Sequence, residues 1–370
     1  MDRDAIFFCA ARQSCLPLTR AAAAKIPYTR VPSVPCRGII CRPYSVDLSR
    51  FFTPLTDALA ALQYGEQPIE LYEPIRYSMS MGGKRIRPLL TLLGAYLYSD
   101  QWPQLALKPA CAVEVFHNFT LLHDDIMDQA PLRRGQPTVH VKWNPNVAIL
   151  SGDVMLVRAY ELLFDIEPTL LHEALQRFSQ TAAEVCEGQQ LDMNFETHAQ
   201  VSIPEYLDMI RLKTAVLLGF ALELGARLGG ATPEDADHLR RFGVAIGVAF
   251  QLRDDLLDVY GDAATFGKRV GGDIVSDKKT YLLLTALERA NEAQEATLRQ
   301  WLGQNSSETA EAKVQAITAV YDALDIRPRT EALINDYFQD ALAHLDAVQA
   351  PAERKALLRG LALQLMERES

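Results

Sequence analysis

The chain has 370 residues, of which 49% are hydrophobic, and a formal net charge of −10. This composition suits one or two globular domains with a substantial core, and it excludes a fibrous or wholly disordered protein. The acidic balance argues against a nucleic-acid-binding surface, which needs a basic stripe. Apolar runs around 215–222 and 242–250 end well before the roughly 18 residues of a membrane span. We therefore expect a soluble protein that binds no nucleic acid and has no membrane span.

Residues 1–48 differ from the rest of the chain. They contain four of the six cysteines and more Lys/Arg than Asp/Glu. The cysteine spacing matches no C-x-x-C zinc pattern, and disulfides are not expected. We interpret residues 1–48 as an N-terminal extension, which is a disordered tail, a leader peptide or the result of a misassigned start codon. We favour a cytoplasmic location over organellar targeting. The folded domain is expected over 49–370.

From Ser49 onward the pattern predicts an all-α fold. Apolar residues recur at intervals of three and four, and strict alternation is scarce. Helix starts are marked by Pro88, by the capping-box sequence Ser202–Glu205 and by Thr232-Pro233. No Gly/Ser-rich linker divides the helical region, so a single domain is expected. The predicted helices cover 50–63, 68–81, 88–99, 104–127, 144–165, 169–193, 204–228, 233–260, 278–290, 294–303, 308–323, 330–347 and 351–367.

Two copies of a D-D-x-x-D motif stand out, Asp124–Asp128 and Asp254–Asp258. On a helix the first and last aspartates of each copy share one face, where like charges cost about 0.2–0.5 kcal/mol per pair. A cation removes that cost, and magnesium is usually held by one or two carboxylates together with substrate phosphates. A solvated acidic helix face explains one such motif, but two copies within apolar helices favour a shared magnesium site for a phosphate-bearing substrate.

Two basic clusters accompany the acidic motifs. Gly82–Pro88 places two glycines and three cations at a helix start, which favours an anion; a basic turn in solvent is the alternative. Arg133–Gly135 follows the first acidic motif, and its arginines could equally be salt-bridge partners of that helix. The stretch 261–269 superficially resembles a P-loop, but five residues lie between its glycines where that motif needs four. Since Arg269 also replaces the Ser/Thr, no nucleotide site is predicted.

In this order the motifs resemble those of the trans-isoprenyl diphosphate (polyprenyl) synthases, over roughly residues 50–370. The matching segments are Gly82–Pro88, Asp124–Asp128, Arg133–Gly135, Gly188–Asp192, Lys213-Thr214, Phe250-Gln251, Asp254–Asp258, Gly267-Lys268 and Asp277–Thr280. The resemblance implies a single-domain helical bundle around a central cavity, usually a homodimer. It also implies that magnesium assists the condensation of isopentenyl diphosphate with an allylic diphosphate.

The resemblance further implies a role for individual residues. Magnesium ions, about three per site, would be bound by Asp124, Asp125, Asp128 and Asp254, with Asp255 and Asp258 acting through water. The allylic diphosphate would contact Arg133, Lys213, Lys268 and Lys278. Isopentenyl diphosphate would contact Lys84, Arg87, His117 and Arg134. The carbonyls of Lys213 and Thr214 and the side-chain oxygen of Gln251 would face the allylic cation, and Asp192 would lie near the metals.

Product length depends on the floor of the cavity, which in this family lies four, five and eight residues before the first aspartate. Those positions are Thr120, Phe119 and Phe116. Steps of 100° per residue put Thr120 and Phe116 nearer the aspartate face, whereas the family pattern makes Phe119 decisive. We favour the C20 product geranylgeranyl diphosphate, with C15 farnesyl diphosphate as the runner-up. The C-terminal stretch 365–370 has one cation between two acids, so a basic lid is not expected.

Two other functions compete with this interpretation. A terpene cyclase could ionise the same substrates, but it usually has one aspartate motif and a different second metal motif. A non-catalytic partner subunit would be expected to lose one motif. Because both motifs and the cationic clusters are intact, the sequence favours an active synthase.

Overall fold

The computed structural model describes residues 47–198, 200–261, 271–304 and 309–367. All but the last two residues of the predicted extension 1–48 lie outside these ranges, so that boundary stays a prediction. The described elements are α1 Ser49–Ala60, α2 Ile69–Ser80, α3 Ile86–Tyr98, α4 Trp102–Met127, β1 Leu132–Arg133, β2 Gln136–Pro137, α5 Val139–Lys142, α6 Pro145–Leu163, α7 Pro168–Thr197, α8 Ile203–Ile210, a π-helical turn Arg211–Ala215, α9 Val216–Gly229, α10 Pro233–Tyr260, α11 Gly272–Val275, α12 Tyr281–Arg289, α13 Glu292–Trp301, α14 Ala310–Ala323, α15 Ile326–Ala347 and α16 Ala352–Met366.

The predicted all-α fold is confirmed, and most predicted helices lie within a few residues of their observed bounds. The predicted starts also hold, since the Ser202 side chain accepts from Glu205 N–H in a full capping box and the Thr232 side chain caps α10. The single predicted helix 204–228 is wrong in one respect, because a π-helical turn interrupts it. In the described ranges, no helix combines the length and apolar character needed to cross a membrane.

The centre of the bundle is the contact of α3 with α9, two helices in which most residues are buried. Glycines let the two backbones touch. A Cβ added to Gly225 would lie 2.0 Å from the Thr91 carbonyl oxygen, and one added to Gly94 would lie 2.6 Å from the Leu222 carbonyl oxygen. Neither clash could be relieved by a side-chain rotation, so these two helices are fixed relative to each other.

Both acidic motifs lie in the last turns of long helices that run through the core. α4 has 26 residues and packs against α3, α6 and α9, and α10 has 28 residues and packs against α9 and α15. At 1.5 Å per residue each helix is about 40 Å long. Because both helices are held along most of their length, their carboxyl ends are placed with little freedom.

We expect Gly225→Val to lower the free energy of unfolding by about 3 kcal/mol, because overpacked side chains in a tight contact force the backbones apart. Urea unfolding followed by circular dichroism measures this. Ala343→Val, on an exposed face of α15, is the matched control and should change stability by less than about 0.5 kcal/mol. Equal unfolding midpoints for the two variants would contradict the proposed backbone contact.

Candidate active site

The first acidic motif occupies the C-terminal turn of α4, where the helix dipole is negative. Asp124 Oδ1 is buried without a well-aligned hydrogen bond, and its charged neighbour is Lys213 Nζ at 3.1 Å. One turn later, burial and then the charge of Asp124 raise the pKa of Asp128 to about 6. Two carboxylates at the negative end of a helix therefore repel each other in a partly dry environment.

Asp125, the second aspartate of the first motif, is paired with an arginine. Arg133 Nε donates to both Asp125 oxygens, at 2.8 and 2.9 Å, and Arg133 also donates to Asp124 Oδ2 at 3.3 Å. Asp125 is 5% exposed. Its oxygens face Arg133, so the geometry supports a role in holding that arginine more directly than the predicted metal ligation.

The second acidic motif, near the end of α10, is tied into the protein by its last two carboxylates. The Tyr206 hydroxyl donates to Asp255, and Gln251 Nε2 donates to its other oxygen at 3.0 Å. Burial and then the nearby Asp273 raise the pKa of Asp255 to about 7. Asp258 Oδ2 accepts from the Asp273 N–H at 2.9 Å. These contacts fit the predicted supporting role, which stays a prediction.

Two lysines lie among the carboxylates. Lys213 Nζ is 3.1 Å from Asp124 and 2.6 Å from Asp192 on α7. Burial opposes the charge of Lys278, but the carboxylates of Asp273, Asp255, Asp192 and Asp128 outweigh it and raise the Lys278 pKa. Asp255 belongs to one motif and Asp128 to the other, so Lys278 lies within range of charges from both. The contacts agree, because Lys213 pairs with Asp124 of the first motif while the adjacent Thr214 donates to Gln251, which donates to Asp255 of the second. The two acidic helix ends therefore flank the same turn.

Lys213 and Thr214 lie in the π-helical turn Arg211–Ala215, a geometry often found at functional sites. A glycine on each side makes room for it. A Cβ on Gly188 would lie 2.2 Å from Lys213 N, and a Cβ on Gly247 would lie 2.6 Å from Ala215 Cα. The wider turn is therefore held between α7 and α10, and it brings Lys213 toward Asp124.

Gln251, predicted to face the allylic cation, links the π-helical turn to the second motif. Its Oε1 accepts from the Thr214 hydroxyl at 3.3 Å, while its amide group donates to Asp255. The structure thus brings Gln251 and Thr214 together as the sequence predicts. Their role toward a cation stays a prediction.

The two arginines after the first motif diverge. A two-residue turn of Arg134 and Gly135, both with positive φ (53° and 75°), joins β1 to β2 in the manner of a type I′ hairpin. This turn directs Arg133 to the carboxylates and lets Arg134 donate to the Gly82 carbonyl. One hairpin therefore links the acidic motif to the glycine-rich loop.

A cavity of about 480 Å³ brings together the residues predicted for isopentenyl diphosphate. Its lining includes Lys84, Arg87, His117 and Arg134, and Asp254 of the second motif. Arg87 Nη1 lies 3.1 Å from His117 Nε2. Burial and then the charge of Arg87 lower the pKa of His117 well below its usual range, so the neutral ring can accept from Arg87.

One residue that lines this cavity, Glu114, was missed at the sequence level. Glu114 is 2% exposed and pairs with Arg85, and the Asn118 amide donates to Glu114 at 2.9 Å. Arg85 has φ 49°, a left-handed backbone that supports the turn into α3. The buried carboxylate offsets some of the positive charge in the pocket. The only sequence signal was an acid ten residues before Asp124 within an apolar helix.

A second cavity, of about 320 Å³, is lined by Asp124 and other residues of α4, together with residues of α7 and the π-helical turn. Phe119, Thr120 and Met193 line it, and Arg87 and His117 belong to both cavities. Phe116 is fully buried and packs edge-on against Phe178, with Phe119 in front of it. Of the two residues that 100° steps put nearer the aspartate face, Thr120 lines the cavity and Phe116 does not. Phe119, which the steps put farther from that face, does line it.

The donors at the two motifs suit magnesium, since they are carboxylate oxygens that repel one another without a cation. Among the described residues, no three Asp, Glu, His or Cys side chains converge closely enough to hold an ion alone. A magnesium ion here would draw part of its coordination from water or from a bound diphosphate. The predicted diphosphate ligand Lys268 lies outside the described residues.

The family model for polyprenyl synthetase matches residues 68–320. The chain belongs to the polyprenyl synthetase family. It is 38% identical over 310 residues to the geranylgeranyl diphosphate synthase of Methanosarcina mazei, covering 82% of this chain and 91% of that protein. It is 36% identical over 321 residues to the geranylfarnesyl diphosphate synthase of Natronomonas pharaonis, covering 82% and 91%. A solved geranylgeranyl pyrophosphate synthase matches with TM-score 0.80 and 44% identity, over 87% of this chain and 98% of its own. The resemblance drawn from the motifs is confirmed.

Other polar partners were recognisable in this polyprenyl synthetase only from its coordinates. In the sequence, Tyr206 has only the character of a core aromatic residue of α8, but in the structure its hydroxyl donates to Asp255. Asp273 lies in the short helix α11, and its charge acts on both Asp255 and Lys278. Neither residue lies in an acidic motif, so only proximity in space assigns them to the site.

The raised pKa of Asp128 predicts a measurable pH dependence. Because the folded state binds this proton more tightly than the unfolded state, the contribution of Asp128 to stability falls as pH rises from its unfolded pKa of 3.8 to about 6. In EDTA, Asp128→Asn should therefore gain stability relative to the wild type between about pH 4 and about pH 7. Thermal unfolding across that range tests this. A difference in unfolding temperature between Asp128→Asn and the wild type that stays constant with pH would contradict the raised pKa of Asp128.

Proposed function

We propose that this protein is a prenyltransferase that condenses isopentenyl diphosphate with an allylic diphosphate to give geranylgeranyl diphosphate. The observation that carries the proposal is that two cavities share Arg87 and His117 and that each includes the first aspartate of one acidic motif, Asp124 or Asp254. The cavity with Asp254 also includes Lys84 and Arg134. The region beside the acidic motifs can hold a diphosphate through divalent metal ions. The cavity with Lys84, Arg87 and Arg134 can hold a second diphosphate through basic side chains. A synthase with two diphosphate substrates requires both.

In this proposal, Asp124, Asp128 and Asp254 hold magnesium, which when bound stabilises the negative charge that develops on the leaving diphosphate. Arg133, Lys213 and Lys278 contribute positive charge to the same leaving group. Lys213 and Lys278 already lie among carboxylates, so they are oriented before substrate arrives. Preorganised charge of this kind is usually the largest contribution to catalysis.

Loss of diphosphate leaves an allylic cation, which must be shielded from water until the double bond of isopentenyl diphosphate attacks. Thr214 and Gln251 lie at the junction of the π-helical turn and α10, where carbonyl and amide oxygens can stabilise positive charge. The released diphosphate is the proposed base for the final proton. Each cycle adds one C5 unit.

The proposed C20 product is supported by the geranylgeranyl diphosphate synthases among the relatives. Phe119 lies in the wall of the cavity that Asp124 also lines, where a growing chain would meet it. Geranylfarnesyl diphosphate synthase is also among the relatives, so a C25 product is a closer alternative than the C15 product considered from the sequence.

A homodimer is also proposed, on the basis of an exposed apolar stripe. Leu150, Val157 and Phe164 recur every seven residues along α6 and just beyond its end, and each is more than half exposed. Large apolar side chains in a row on a surface mark an interface, and an isologous dimer would cover this one. The cytoplasmic location stays a prediction.

The activity test is incubation of the purified protein with magnesium, isopentenyl diphosphate and allylic primers of several lengths, followed by sizing of the products. A dominant C20 product supports the proposal. Cyclised hydrocarbons would indicate a terpene cyclase. Absence of turnover with every primer would indicate a non-catalytic subunit.

We expect Asp124→Ala to reduce turnover by at least about a thousandfold, because it removes a metal ligand and the partner of Lys213. The initial rate with saturating substrates measures this, and circular dichroism checks folding. Asp165→Ala, at an exposed pair with Lys108, is the control and should retain normal turnover. Near-normal turnover in Asp124→Ala would remove this residue from the mechanism.

We expect Phe119→Ala to lengthen the product, because loss of the ring opens the wall of the cavity beside Asp124. Chromatographic sizing of the products measures the change. Phe116→Ala is the comparison: Phe116 is fully buried behind Phe119, so its loss should mainly cost stability, by about 3–5 kcal/mol. An unchanged product distribution in Phe119→Ala would refute the proposal that Phe119 limits the length of the product.

A further inference from the structure

Lys313, on α14, is a fully buried lysine that belongs to none of the motifs. A buried ammonium group is costly unless it is paired and hydrogen-bonded. Lys313 Nζ lies 2.6 Å from Asp277 Oδ1 and donates to the Val275 carbonyl at 3.1 Å. Val275 is the last residue of α11 and Asp277 follows it, so this lysine holds the end of α11 and the turn after it.

Asp277 is itself in an unusual conformation. Its φ of 56° lies in the left-handed region, which non-glycine residues adopt when their surroundings impose it. Its Oδ2 accepts from the Gly303 N–H at 2.9 Å, while Oδ1 faces Lys313. The side chain is therefore held by two separate parts of the chain, and the backbone conformation depends on these contacts.

The residues after Asp277 reach the active site. The Lys278 N–H donates to the Asp273 carbonyl at 2.9 Å, and the Asp273 N–H donates to Asp258 of the second acidic motif at 2.9 Å. Lys279 Nζ donates to the Phe195 carbonyl and to the Glu196 carbonyl at 3.4 Å, at the end of the helix that carries Asp192. The turn is thus attached to the site on one side and to α14 on the other.

We propose that Lys313 is a positioning residue for the diphosphate site, acting through Asp277 on Lys278. The ion pair fixes the left-handed turn, and the turn sets where the Lys278 ammonium lies. Displacement of a substrate-binding group by about 1 Å can cost up to a hundredfold in rate. This inference rests on the proposed function, since it concerns the allylic diphosphate that Lys278 is proposed to bind.

The test compares Lys313→Met, which keeps length but loses charge, with Lys313→Arg. For Lys313→Met we expect the KM for the allylic diphosphate to rise about tenfold, with the KM for isopentenyl diphosphate within about twofold. Lys313→Arg should recover most of the loss. Lys355→Met is the matched control, because Lys355 also donates to two backbone carbonyls, at the end of α15, and neither carbonyl belongs to a residue of the site. This variant should lose stability without a change in either KM.

A double-mutant cycle with Lys278→Met tests the route of the effect. If Lys313 acts through Lys278, Lys313→Met should add less than about twofold to the allylic KM in the Lys278→Met background. A full tenfold effect there, or an equal rise in both KM values, would overturn the proposal. So would unchanged KM values in Lys313→Met. Should that variant fail to fold, Asp277→Asn replaces it, with the same expected results.

Binding of inorganic diphosphate with magnesium, measured by calorimetry, separates this inference from the proposed function. Wild-type binding that weakens about tenfold in Lys313→Met supports the positioning role even with no turnover. Equal binding by both proteins overturns the positioning role and leaves the proposed function standing. Absence of binding by the wild type would contradict both.

Discussion

Repulsion between carboxylates at two helix C-termini is the constraint on which this structure depends. α4 and α10 both end in clustered aspartates, where the helix dipole adds to the unfavourable charge. Lys213 and Lys278 offset this charge from the π-helical turn and from the turn after α11. The lysines that stabilise the acidic ends are also those proposed to bind the diphosphate, so under that proposal one electrostatic arrangement serves both folding and catalysis.

Small residues make that arrangement possible. Gly188 and Gly247 allow α7 and α10 to approach the π-helical turn within a distance that any side chain would block. Gly94 and Gly225 do the same where α3 crosses α9. Rigid backbone contacts therefore fix the helices that carry the charged groups, and a functional site on rigid elements can hold its geometry without substrate.

Much of the fold and part of the site could be predicted from the sequence, for separate physical reasons. Helices follow from apolar periodicity, and the two D-D-x-x-D copies share a face by geometry alone. The π-helical turn was missed because the periodicity continues through Arg211–Ala215. Phe119 was misplaced by angular stepping, because a long aromatic side chain leans along the helix and covers more than its nominal direction. Tyr206 and Lys313 were missed because a single buried polar group has no local pattern.

The pair Arg87 and His117 separates two regions of opposite character. Toward α4 the wall is acidic at Asp124 and apolar beyond it, while toward the glycine-rich loop it is cationic. Burial keeps His117 neutral, so it can accept from Arg87 without adding a further charge between the regions. In the proposed mechanism, a charged histidine at this position would add to the positive charge beside an allylic cation. The neutral ring instead orients Arg87 through a hydrogen bond, and Arg87 supplies positive charge that is proposed to bind isopentenyl diphosphate.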